Sequence, residues 1–150
     1  AATEGKTATV HTSTEGAVQK PFINWKHAES MLDLGWEIGA HSAVHPKFAD
    51  LHASEGDGGV IKEVESSNEV FKRRLGFVPP HFAYPSGSRN EQTDLLLSSF
   101  YRSLRLWHFE SQPKWTFTSR QTSLLGLDCQ NIDNTVSFNN FTRIFLEALA

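Results

Sequence analysis

Two histidines, His41 and His45, stand four positions apart in "GWEIGAHSAVHP", between a short apolar run and Pro46. Neutral imidazole nitrogen is a good ligand for a borderline divalent ion such as zinc, and two imidazoles this close in the chain can converge on one ion. A catalytic centre needs a third protein ligand as well. On the residues alone, the alternative is that His41 ends a strand and His45 is a surface histidine, because an HxxxH match by itself carries little specificity.

The elements around the pair follow a repeating pattern. A helix is expected from Asn24, with Trp25, Ala28 and Leu32 on one face and a stop at Gly35, followed by "WEIGAH" as a short strand. Because Pro46 disfavours helix at His45, the pair belongs on the turn that leaves the C-terminal edge of a sheet, where parallel α/β folds collect their active sites. Next, "GGVIKEVESSNEVFKRRLG" puts Ile61, Val64, Phe71 and Leu75 on one helical side, ends at Gly76, and passes through "FVPP" into the strand "HFAYP".

A third round runs through "NEQTDLLLSSF" into "YRSLRLW". A later strand, "SLLGL", precedes a helix over 137–149 that carries Phe138, Phe141, Phe145 and Leu149. This alternation predicts a parallel sheet with outer helices. "HASEGDGG" at 52–59 is expected to be an exposed loop, since glycine and polar residues dominate it.

The 150 residues suit a single domain, and 39% hydrophobic, 21% charged and net charge −3 are globular values that do not favour nucleic acid as a partner. No apolar stretch approaches the roughly 20 residues of a membrane helix. The single cysteine, Cys129, excludes an internal disulfide and a thiolate metal cluster. "TATVHTS" has the pattern of a buried strand almost at residue 1, and the last helix reaches Ala150 with no strand after it, so the domain is expected to be truncated at both ends.

"LGWEIGAHSAVHPKFADL" resembles the second signature segment of the polysaccharide deacetylases, the carbohydrate esterase family of chitin, peptidoglycan and acetylxylan deacetylases. In that family HSxxH or HTxxH supplies two metal ligands. "FVPPHFAYPSGSRN" resembles the third segment, an apolar strand leading into a Pro-Tyr-Gly-like turn that lines the substrate groove. The resemblance runs from about Thr7 to the end, and it implies part of a distorted (β/α)7 barrel lacking its first and last strands. It also implies a carbohydrate as substrate, zinc or another divalent ion such as cobalt as cofactor, and a secreted or cell-envelope setting.

By the same resemblance, His41 and His45 are metal ligands. The backbone N–H of Ser86 holds the oxyanion formed from an acetyl carbonyl, a role open to a backbone group whatever its side chain. Tyr84, Pro85 and Gly87 line the groove; without the histidine pair they would pass for an ordinary strand-ending turn. Trp107 falls where the family places its acetyl pocket, and is equally explained as a barrel-core tryptophan. Two departures stand out: Ser86 replaces the family's aromatic residue and Ala83 its frequent arginine.

The family's paired-aspartate segment, with its base and third ligand, would lie before residue 1, and its general-acid histidine after Ala150. The 150 residues alone are therefore expected to show no turnover. Glu37 lies about 13 Å from His41 along a strand and is expected to be structural. Asp50 has a helix-start or loop role, or less favourably that of a ligand. His11, His27, His52, His81 and His108 lack ligand spacing to a second donor. Metal-dependent removal of N- or O-linked acetyl groups from a carbohydrate is the expected activity; the alternative is a noncatalytic carbohydrate-binding or scaffold domain of the same fold.

Overall fold

In the computed structural model the described residues are 23–106 and 122–127, with Asn139 and Thr142 as isolated helical positions. The strand expected at 7–13, Trp107, and all of the 137–149 helix but those two positions lie outside them. Helix α1, Trp25–Asp33, starts where the sequence places it. The Asn24 side chain accepts from the His27 N–H, and the His27 ring accepts from the Asn24 N–H in return. It gives way at Gly35, whose φ of 84° suits glycine.

Helix α2, Phe48–Leu75, is longer than expected and takes in residues 52–59. These eight residues do not form a loop. Their glycines instead break the helix at Gly56, with φ 65° and ψ −162°, a region essentially confined to glycine. Past the break, Val60, Val64, Ser67 and Phe71 are buried on one face, and Gly76 closes the helix in the left-handed conformation.

Strand β1, His81–Ala83, pairs in parallel with strand β2, Ser103–Arg105, in the register Phe82 to Leu104 and Ala83 to Arg105. Helix α3, Glu91–Leu97, connects them from an Asn90 cap. The expected strand "WEIGAH" is reduced to a single parallel bridge, Ala40 to Phe82, made by two hydrogen bonds: Ala40 N–H to the His81 carbonyl and Ala83 N–H to the Ala40 carbonyl. Gly39 permits this approach, since a Cβ there would lie 3.3 Å from the His81 carbonyl oxygen.

The expected strand "SLLGL" is likewise a tight turn over Leu124–Gly126. Ser123 accepts from the Leu125 N–H, a local bond that competes with strand pairing, and only Leu127 joins β2. Order in space thus follows order in the chain, from Ala40 through β1 and β2 to Leu127, all parallel, as in a β/α barrel wall. The core lies between this wall and the helices: Ala40, Phe82 and Leu104 meet Phe48, Val60, Val64, Phe71, Leu97 and Tyr101.

Two substitutions test this packing. The Ser67 hydroxyl is fully buried with no hydrogen-bond partner among the described residues, so Ser67→Ala is expected to raise stability by about 1 kcal/mol. Gly56→Ala forces a Cβ into a strained backbone and should lower stability by about 1–3 kcal/mol. Urea unfolding midpoints check both.

Candidate metal centre

Beyond Ala40 the chain leaves the sheet in a tight loop in which Ser42 and His45 both hold positive φ, 72° and 62°. A non-glycine residue persists there only when its surroundings over-determine it. The His45 N–H donates to the buried Ser42 Oγ at 2.9 Å. Between them, the Ala43 and Val44 N–H groups both donate to Oε1 of Glu63, at 2.8 Å each.

His41 lies beside the C-terminal end of β1, its Nδ1 2.7 Å from the Ala83 carbonyl oxygen. A carbonyl can only accept, so Nδ1 carries the proton and Nε2 presents a lone pair. Metal-binding histidines are commonly oriented in this way. Burial holds the imidazole below the ordinary histidine range. The bond to Ala83 opposes that shift, while nearby His45 and Arg105 act with it, so the neutral, ligating form is favoured.

The two rings stand 4.9 Å apart, centroid to centroid, at 71°. Imidazoles on one zinc ion, with Zn–N at about 2.0–2.1 Å, would have centroids about 5 Å apart in a near-tetrahedral pair. The spacing of the rings and the tautomer of His41 therefore both fit a shared divalent ion. Among the described residues, no third His, Cys, Asp or Glu completes such a group.

The same edge carries the turn Pro85–Gly87, two residues past Ala83, with Ser86 and Gly87 both at positive φ. Ser86 and Gly87 are partly exposed, whereas Pro85 is buried. Tyr84, expected in the groove, is 2% exposed. Its ring packs edge-on against Phe48 and Phe82, and its hydroxyl donates to Asp94, because the alternation along β1 turns it with Phe82 toward the helices. Its side chain is part of the core rather than of the groove.

Glu37 is exposed and sits 4.0 Å from His81, at the end of β1 opposite the histidine pair. Asp50 is in the first turn of α2, where a carboxylate suits the helix dipole. His27 caps α1, His52 bonds Asp57, and His81 bonds Ser103.

Two residues at the site carry no local signal in the sequence. Glu63 is a polar position beside the apolar stripe of α2, and nothing local marks it as the acceptor of a loop twenty residues earlier. Arg105 lies within "YRSLRLW", where nothing local sets it apart. Its register with Ala83, and that of Ala40 with Phe82, put His41, Ala83 and Arg105 in one row across the sheet edge.

Solved structures of similar fold agree with this architecture. A Streptococcus pyogenes deacetylase in complex with acetate matches at TM-score 0.65 and 20% identity, over 81% of this chain and 50% of that one. A de-N-acetylase from Aggregatibacter actinomycetemcomitans matches at 0.65 and 13%, over 88% and 58%. A polysaccharide deacetylase from Bacillus cereus matches at 0.59 and 17%, over 81% and 36%. The chain thus spans from about a third to somewhat over half of these structures. No curated protein matches it. The family model for polysaccharide deacetylase matches residues 2–101, and the chain belongs to that family of carbohydrate deacetylases.

Burial of His41 has a consequence for stability. Because its pKa is lowered on folding, the unfolded chain takes up the proton first as pH falls below about 6.5, and stability is lost progressively from there through the folded-state value. In metal-free protein, urea midpoints should fall across this range more steeply in the wild type than in His41→Asn. Equal slopes would show that His41 is not protected from protonation.

Proposed function

We propose that this chain forms part of a metal-dependent hydrolase that removes N- or O-linked acetyl groups from a carbohydrate. The observation that carries this is the His41 imidazole, its Nδ1–H fixed on Ala83 and its Nε2 left with a lone pair, its ring centroid 4.9 Å from that of His45 on the sheet edge that also bears the Ser86 turn. Family membership supports the reaction class.

His41 and His45 are the residues that would hold the ion, zinc in the first instance and cobalt as a substitute. When bound, the ion would polarise the acetyl carbonyl and activate water. The Ala83 carbonyl keeps His41 in the ligating tautomer, and the low basicity of the buried ring keeps it from being lost to a proton. The backbone N–H of Ser86 donates to the oxygen that gains charge as the carbonyl is attacked, and it need not reorganise to do so. Gly87 leaves the turn open to a sugar, and Trp107 is proposed as the apolar wall for the acetyl methyl. Proton transfers are assigned to no residue described above.

Acetate release from chitin oligomers and acetylated xylan, measured on the full gene product with zinc or cobalt added, tests this. Chelator-sensitive release that is abolished by His45→Ala is expected. Calorimetry should show zinc affinity lost in His41→Ala/His45→Ala. Unchanged zinc affinity in that double variant would remove the metal assignment, and sugar binding without acetate release would favour a noncatalytic carbohydrate-binding domain.

A further inference from the structure

We propose that Glu63 is the positioning residue of the histidine pair, setting the separation of the two imidazoles by gripping the loop between them. The inference rests on the metal-binding role given to His41 and His45. Glu63 leaves α2 beside Val60 and Val64, both fully buried, so its own backbone is anchored in the core. Its Oε1 accepts two successive amide hydrogens, from Ala43 and Val44, and these are the two residues that lie between the positive-φ positions Ser42 and His45.

Within the loop, the His45 N–H donates to Ser42 Oγ, a bond that spans the turn itself. His41 on the Ala83 carbonyl ties one end of the loop to the core, and Glu63 holds its middle. Without the carboxylate, two adjacent N–H groups lose their acceptor, and the backbone between the positive-φ residues Ser42 and His45 loses a contact that holds it. His41 would stay on Ala83 while His45 moved, widening the bite of the pair. A charged acceptor suits the task, since bonds from backbone N–H to a carboxylate are stronger than neutral ones.

Charge and geometry are separable. Glu63→Gln keeps an acceptor oxygen at the same reach and removes the charge; Glu63→Asp keeps the charge and withdraws the oxygen by one methylene. Cobalt(II) chloride is titrated into metal-free full gene product and followed by its visible absorption, with amide hydrogen exchange at Ala43 and Val44 measured in parallel.

Glu63→Asp and Glu63→Ala should weaken cobalt binding about 10- to 100-fold and speed exchange at both amides, while Glu63→Gln keeps most of the affinity and the protection. The Gln and Asp contrast stands even if Glu63→Ala fails to fold. Wild-type affinity in Glu63→Asp with loss in Glu63→Gln would mean that charge alone matters and would overturn positioning, as would unchanged amide exchange in Glu63→Asp. His41→Ala/His45→Ala is the control: if it binds cobalt like the wild type, the metal assignment fails, whereas loss there with no effect of any Glu63 variant sinks this inference alone.

Discussion

One main-chain carbonyl, that of Ala83, joins the two halves of the site. It closes β1 and accepts the Nδ1–H of His41 across a distance of 42 residues in the chain. Two residues later the chain enters the Pro85–Gly87 turn. A shift of β1 by one residue against Ala40 would take that carbonyl away from His41 and turn Phe82 out of the core, so the packing of Phe82 on Phe48 and Tyr101 also holds the histidine in place. The register of the wall and the chemistry at its edge are one constraint.

Strain is concentrated at this edge. The positive-φ residues other than glycine are, among those described, Ser42, His45 and Ser86, and all three flank or form the proposed site. Each conformation costs of order 1–3 kcal/mol and persists only because neighbouring bonds leave no alternative. Here those bonds come from Glu63 on Ala43 and Val44, from the Ser42 hydroxyl on His45, and around Ser86 from the Gly87 N–H on the Tyr84 carbonyl and the Ser88 N–H on the Pro85 carbonyl. Such backbone turns carry side chains and N–H groups past the end of a strand, where a substrate can reach them, and a regular strand or helix cannot do this.

Helix α2 connects the edge to the core. Its break at Gly56 separates a first segment, beginning at Phe48 just after the histidine loop, from a second whose buried face is Val60, Val64, Ser67 and Phe71. Glu63 belongs to the second segment. The loop is therefore followed directly in sequence by one part of the helix and held from the side by the other. Tyr101, buried nearby with its hydroxyl on Asn68, is pushed well above the ordinary phenol range by burial, and the Glu63 carboxylate adds to that shift. The acid thus sits close to the core while its tip reaches the loop.

The sequence by itself determined the helix cap at Asn24, the stops at Gly35 and Gly76, the parallel alternation through "HFAYP" and "YRSLRLW", and the neighbourhood of His41 and His45. These follow from local side-chain chemistry and from periodicity, which operate over a few residues. Only the tertiary structure decided the rest. Residues 52–59 carry loop composition, yet they become helix on both sides of Gly56 because packing on either side outweighs weak intrinsic propensity. Tyr84 has the position of a groove residue and is drawn into the core by the alternation along β1. The grip of Glu63 on Ala43 and Val44, and the row formed by His41, Ala83 and Arg105, depend on pairings between segments 19 or more residues apart. Hydrogen bonds of that kind leave no periodic trace in a sequence, because one acceptor placed by a distant helix meets one pair of donors, and neither partner's neighbours need change to accommodate it.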